Sequence, residues 1–169
     1  MRPTAAAGEG GAAAGRLAVS WADVERLAAE LVRACQRVDP PFDVVLGIAR
    51  GGLVPAALVA ARLGVREVLS AALASYDGDV RAARLTTLAF PPRAALRARR
   101  VLIVDDVWDS GRTAVAVRER VRRAGGHPTV AVLHHKPGAS HYPDDGPELA
   151  AETTAAWLVY PWERFAEEG

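Results

Sequence analysis

Apolar positions along the chain recur first at helical spacing and then in short unbroken runs. Ser20-Trp21-Ala22-Asp23 resembles a capping arrangement, and Val24, Leu27, Ala28, Leu31, Val32 and Cys35 follow at intervals of three and four. That spacing predicts a first helix over Trp21 to Arg37, stopped by Asp39-Pro40-Pro41 because a residue before proline is pushed out of the helical region. Asp43 to Ala49 reads as the first core strand and delivers Arg50-Gly51-Gly52 to its carboxyl end. Leu53 to Leu63 reads as a helix with Pro55 tolerated in the first turn and Gly64 ending it. Glu67 to Ser75 makes a second strand. From Tyr76 to Arg97 the periodicity fails, and an irregular stretch of that length inside a compact domain suits a lid, with room for a short hairpin of its own.

Val101-Leu102-Ile103-Val104 has no polar interruption, as expected of a strand buried on both faces. An acidic loop containing Asp105, Asp106 and Asp109 follows it, and Ser110-Gly111-Arg112-Thr113 opens a helix over Thr113 to Ala124 with Gly125-Gly126 at its C-cap. Pro128 to His134 is another strand, ending in His135-Lys136-Pro137. Gly138 to Thr154 reads as a polar loop, and Ala155 to Tyr160 as a last strand closed by Pro161-Trp162-Glu163. Strands alternating with helices argue an α/β fold with a parallel sheet. Met1 to Gly15, rich in Ala and Gly, reads as a disordered tail ahead of a single domain over residues 16–169.

Composition changes this picture in three places. A formal charge of +1 over 169 residues gives no electrostatic case for a nucleic-acid or membrane partner. The longest apolar stretch, around Leu53 to Leu63, falls short of the roughly 18 residues of a membrane span. One cysteine, Cys35, cannot form an internal disulfide and sits at a core position of the first helix, which suits a reducing, cytoplasmic setting. Among 21 basic residues only Lys136 is a lysine, which singles it out. Arg118, Arg120, Arg122 and Arg123 read as a solvated helix face.

The candidate chemistry lies after Val104. Asp105 and Asp106 would stand at the carboxyl end of a buried strand, where open α/β sheets hold ligands. Ser110 to Thr113 would add backbone N–H groups, two hydroxyls and a helix N-terminus, an anion site. A sugar phosphate with magnesium satisfies both the carboxylates and the cradle. Arg50-Gly51-Gly52 is either a plain strand-to-helix turn or a close-approach site for a pyrophosphate. Asp109 also suits a simple helix N-cap.

These residues resemble a known family. Val101 to Thr113 is similar to the phosphoribosyl-pyrophosphate (PRPP) signature of type I phosphoribosyltransferases, with Ser110 in place of the usual Thr. In order, Ala49-Arg50-Gly51-Gly52-Leu53-Val54-Pro55, Ser75-Tyr76-Asp77, Lys136-Pro137 and Trp157 through Glu163 resemble segments of bacterial xanthine-guanine phosphoribosyltransferases. Receiver domains of response regulators share an acidic pair and a Lys-Pro, but there the two lie roughly a whole domain apart, whereas here one helix and one strand separate them.

The resemblance implies a Rossmann-like parallel sheet flanked by helices, with a small hood built from the 76–98 loop and the C-terminal segment. It implies magnesium-dependent transfer of a phosphoribosyl group from PRPP to a 6-oxopurine in purine salvage. Ser110, Gly111, Arg112 and Thr113 would cradle the 5-phosphate, and Asp105 and Asp106 would hold the ribose hydroxyls, directly or through Mg2+. Arg50 and Gly51 would bind pyrophosphate, with a strained or cis peptide between Ala49 and Arg50. Asp109 would be the general acid/base at the purine, Lys136 would meet the 6-oxygen, Trp157 would stack on the base and the Leu158 backbone would read its edge. Glu163 could reach the base or a second metal. Relatives commonly self-associate, so a homo-oligomer is expected. The hood and the segment before Trp157 depart from the family pattern, which leaves xanthine, guanine and hypoxanthine open. Members of this fold that act as PRPP- or nucleotide-sensing regulators, and transferases for another base, are the alternatives; a regulator should carry a basic nucleic-acid face or an added DNA-binding domain, and this chain shows neither a helix-turn-helix extension nor a strong net charge.

Overall fold

A computed structural model describes residues 15–75 and 85–163, and its layers follow from the buried runs. In chain order the elements are β1 (Arg16–Ala18), α1 (Trp21–Cys35), β2 (Val44–Ala49), α2 (Leu53–Leu63), β3 (Val68–Ser75) and β4 (Leu85–Ala89). They continue with β5 (Arg100–Trp108), α3 (Arg112–Arg123), β6 (His127–His135), β7 (Leu149–Thr153) and β8 (Trp157–Val159). Six strands form one sheet in the order β4-β3-β2-β5-β6-β7, all parallel except β4, which runs antiparallel along the β3 edge. β1 and β8 pair in parallel as a separate two-stranded sheet.

Side-chain alternation assigns the two faces. Val45, Leu102, Val104, Ala131 and Leu133 pack against Val24, Leu27, Leu31, Ala56 and Val59 of α1 and α2. Their neighbours Val44, Leu46, Val101, Ile103, Val130 and Val132 pack against Ala114, Val117 and Val121 of α3. Covering both faces is what makes the central strands apolar throughout, and each Val or Leu taken fully out of water contributes about 1.5–3 kcal/mol. Helix α2 approaches closely at Gly47, where a Cβ would lie 2.9 Å from the Ala56 methyl. The Ser20 and Asp23 side chains form a reciprocal capping box at α1, and Gly64, with φ of 72°, closes α2.

Several expectations change. β5 does not stop at Val104: it continues to Trp108 because β6 keeps pairing with it, Asp105 with Val132 and Trp108 with His135. The two carboxylates therefore stand on a strand, not in a loop. The 138–154 stretch contains an edge strand, β7, which bonds to β6. The last strand is shorter than expected and leaves the main sheet to join β1, a three-residue element too short for any periodicity. Leu85–Ala89 lies on the edge of the main sheet, so the small second layer comes from both ends of the described chain. Gly15, assigned to the tail, accepts a hydrogen bond from the Trp157 N–H at 3.1 Å; residues 1–14 and 76–84, the rest of the tail and the start of the expected lid, lie outside the described residues.

Arg118 is the other correction. Instead of facing solvent it is 4% exposed, ion-paired with Asp145 and Glu148, and its guanidinium lies 5.8 Å from the Trp108 ring. Counting helix positions could not reveal partners that come from a loop 27 residues away.

Candidate active site

The strand order sets the site. β2 connects onward to β3 on one side and β5 to β6 on the other, so the chain diverges between β2 and β5. At such a switch point a crevice opens beyond the carboxyl ends of the strands. β5 pairs with β2 only as far as Val104, and past that point its neighbour is the Arg50-Gly51-Gly52 turn. That turn follows a cis peptide between Ala49 and Arg50. A Cβ on Gly51 would fall 1.9 Å from an oxygen of the Asp106 carboxylate, and one on Gly52 would fall 2.4 Å from the Val104 carbonyl oxygen. The two glycines are required by close approach to β5.

The carboxylates are held by their own strand. Asp106 N–H donates to Asp105 Oδ1 at 3.0 Å, and Val107 N–H donates to Asp106 Oδ1 at 2.8 Å. Burial, reinforced by the neighbouring Asp106 charge, pushes the Asp105 carboxyl well above the usual carboxylate range. Burial likewise pushes Asp106 up to about 6, with the Glu163 charge adding to it. Among the described residues the indole N–H of Trp162 is buried outside hydrogen-bond geometry with any partner, yet it lies near enough to favour the charged form of Asp106. Two buried carboxylates that resist ionisation are a donor set that a divalent cation would relieve. Among the described residues no three His, Cys, Asp or Glu side chains gather at metal-holding spacing, so such a cation would complete its shell with ligand oxygens and water.

A cavity of about 760 Å³ opens at Asp106, with Asp105 outside its lining; Arg50, Gly51, Trp157, Leu158 and Glu163, among others, also line it. Beside it, Lys136 Nζ lies 3.3 Å from Asp109 Oδ1 and 5.7 Å from the centre of the Trp157 ring. Trp157 is 63% exposed, which excludes a core role, and its backbone is fixed opposite Arg16 in the small sheet. Glu163 Oε2 accepts from the Tyr160 N–H at 2.8 Å while lining the cavity.

The Ser110 to Thr113 turn stands at the head of α3. Gly111, with φ of 79°, is the N-cap, so Asp109 is not the cap, and Ser110 Oγ accepts from the Arg112 N–H at 3.5 Å. Only glycine fits there for a second reason: a Cβ would lie 2.6 Å from the indole of Trp108. Trp108 in turn donates to Ser140 Oγ at 3.1 Å, and Ser110 accepts from His141 N–H at 3.0 Å. The 138–148 loop thereby braces the turn from behind. Arg112 and Thr113 fall in the first turn of α3 and, with Ser110 and Gly111, lie outside the cavity lining.

The structure thus brings Arg50, Gly51, Asp106, Trp157, Leu158 and Glu163 around one cavity, and places Asp109 and Lys136 in contact at its side. Sequence reasoning missed Arg16, which lines the same cavity, and Tyr160, whose hydroxyl donates to the Asp106 carbonyl at 2.8 Å. Neither carries a local signal: Arg16 opens a three-residue strand, and Tyr160 reads as the end of an apolar run.

Comparison with known proteins shows the family. Residues 17–154 match the family model described as the phosphoribosyl transferase domain. Over 145 residues the chain is 34% identical to the xanthine-guanine phosphoribosyltransferase of Gluconobacter oxydans (strain 621H), covering 86% of this chain and 83% of that protein. It is 32% identical over 145 residues to the protein of the same name from Idiomarina loihiensis (strain ATCC BAA-735 / DSM 15497 / L2-TR), covering 86% and 85%. The crystal structure of a purine phosphoribosyltransferase from Pyrococcus horikoshii Ot3 superposes with a TM-score of 0.75 at 30% identity, over 87% of this chain and 93% of that one.

Proposed function

Because the chain belongs to the phosphoribosyl transferase domain family, we propose that it transfers a 5-phosphoribosyl group from PRPP to a 6-oxopurine, releasing pyrophosphate, as part of purine salvage. The observation that carries this reading is the contact of Asp109, Lys136 and Trp157 beside a cavity that also holds Arg50, Gly51 and Asp106. One side suits a flat base with a carbonyl; the other suits a pyrophosphate.

In this reading the head of α3, with the Ser110 and Thr113 hydroxyls, receives the 5-phosphate. Arg50 and the Gly51 backbone take the pyrophosphate. Asp105 and Asp106 would hold the ribose hydroxyls, directly or through Mg2+, and the cation would supply positive charge against the pyrophosphate leaving group. The base stacks on Trp157, and the Leu158 backbone reads its edge. Lys136, already paired with Asp109, has further N–H donors for the 6-oxygen. A ring nitrogen of the base forms the bond to C1 of the ribose as the C1–O bond to pyrophosphate breaks. Asp109 accepts the proton that this nitrogen must lose. Most of the rate enhancement is electrostatic positioning of a ribose that becomes cationic between two anionic groups. The same reading carries a cytoplasmic homo-oligomer, which light scattering on purified protein checks.

The test is nucleotide formation from xanthine, guanine, hypoxanthine and adenine, each supplied with PRPP and Mg2+. At least one 6-oxopurine should be converted, and adenine should be the poorest of the four. Asp109→Asn should still bind PRPP and lose most turnover; an undiminished rate removes Asp109 from the mechanism.

A further inference from the structure

Tyr160 follows β8 directly, and its side chain is 1% exposed beneath the cavity. The hydroxyl donates to the main-chain carbonyl of Asp106 at 2.8 Å and lies 2.8 Å from Nδ1 of His134. A carbonyl oxygen can only accept, so the single hydroxyl proton is used at Asp106. The second contact therefore requires an N–H at His134, which fixes the imidazole as the Nδ1–H form. Burial keeps His134 below its usual range and Tyr160 above it, so both partners are neutral. The rest of the segment is equally fixed. The Tyr160 ring stacks on Trp162 at 4.8 Å and 7°, and its N–H donates to Glu163 at 2.8 Å.

Asp106 and Tyr160 belong to different layers. Asp106 lies on β5 in the main sheet, while Tyr160 ends the strand that presents Trp157 and Leu158 to the cavity. One hydroxyl thus joins the strand bearing the carboxylates to the strand bearing the stacking tryptophan, 54 residues apart in sequence.

We infer that Tyr160 is a positioning residue that sets the distance between the base-stacking strand and Asp106; this rests on the phosphoribosyl-transfer reading above. Loss of the hydroxyl leaves a buried carbonyl and a buried imidazole N–H unpaired and releases β8 from β5. The base platform then no longer sits in register with the ribose.

The test compares Tyr160→Phe, His134→Ala and the double variant His134→Leu/Tyr160→Phe, which replaces the polar pair with apolar groups and keeps the fold accessible should the single variant fail. A smaller folded fraction lowers the amount of active enzyme and leaves KM alone, whereas a displaced platform raises KM. Both variants with Phe at 160 should raise the base KM about tenfold and speed amide hydrogen exchange at residues 157–159. His134→Ala keeps the Tyr160 bond to Asp106, so its base KM should stay within about twofold of the parent even where its thermal midpoint falls. An unchanged base KM in both Phe variants, or unchanged exchange at residues 157–159, overturns the proposal. Failure of the parent protein to convert any base would instead refute phosphoribosyl transfer, and the exchange experiment would still decide whether Tyr160 holds the strand.

Discussion

Asp106→Asn is expected to make the ligand-free protein more stable while abolishing its function. In the folded protein burial pushes the Asp106 carboxyl from its ordinary 3.8 up to about 6. That shift is equivalent to a preference of about 3 kcal/mol for the neutral form. Its sign follows from proton counting. Below pH 3.8 both folded and unfolded chains hold the proton, and there is no penalty. Between about 4 and 6 the unfolded chain releases the proton and the folded chain retains it, so stability falls as pH rises; above 6 the full cost is present. Asparagine preserves the shape, and its carbonyl can still accept from Val107 N–H. It removes the charge, and with it the repulsion on Asp105. Denaturant unfolding followed by tryptophan fluorescence, run on both proteins from pH 4 to 8, should give coincident stabilities at pH 4 and an advantage of about 3 kcal/mol for the variant at pH 8. The difference between the proteins is the informative quantity, because Asp23 and Asp145, whose carboxyls are held below their usual range by Ser20 and Arg118, respond to pH in the opposite direction in both. PRPP with Mg2+ at a hundred times its Kd should stabilise the parent by about 2.7 kcal/mol and the variant hardly at all. A difference that does not vary with pH, or a variant less stable at pH 8, would refute the account of the buried pair.

Gly111→Ala forces an alanine to φ of 79° and drives its methyl into the Trp108 indole, so a loss of about 2–4 kcal/mol in denaturant unfolding is expected, with a higher KM for PRPP. Arg118→Met removes a buried cation from Asp145 and Glu148, which are themselves well exposed and can rehydrate; about 2 kcal/mol should be lost in thermal unfolding. Trp157→Ala should change stability by less than about 0.5 kcal/mol, since the side chain is largely exposed, and should raise the base KM about tenfold or more in steady-state assays.

The sheet was legible in the sequence because its strands are buried on both faces, and an uninterrupted run such as Val101 to Val104 has few other interpretations. Its carboxyl edge was legible for the same reason, since whatever follows such a strand must emerge there. The extension of β5 through Asp105 and Asp106 was not legible: two carboxylates break the apolar pattern, and only hydrogen bonding to β6 holds them in strand geometry. β7 was hidden because an edge strand needs no long apolar run. Arg118 was misread because a charge in a helix pattern indicates solvent unless the loop that neutralises it is known. The grouping of Arg50, Asp106, Lys136 and Trp157 could be expected only from the resemblance to the phosphoribosyltransferase family. Arg16 and Tyr160 join the same region only through strand pairing and one buried hydroxyl, and three-dimensional contacts of that kind leave no trace in local spacing.

The most direct measurement follows nucleotide and pyrophosphate together in one reaction of the purified protein with PRPP, Mg2+ and each 6-oxopurine. The account expects the two products in equal amounts with at least one base, and neither when Mg2+ is chelated. No nucleotide from xanthine, guanine or hypoxanthine, or pyrophosphate released without nucleotide, would contradict it.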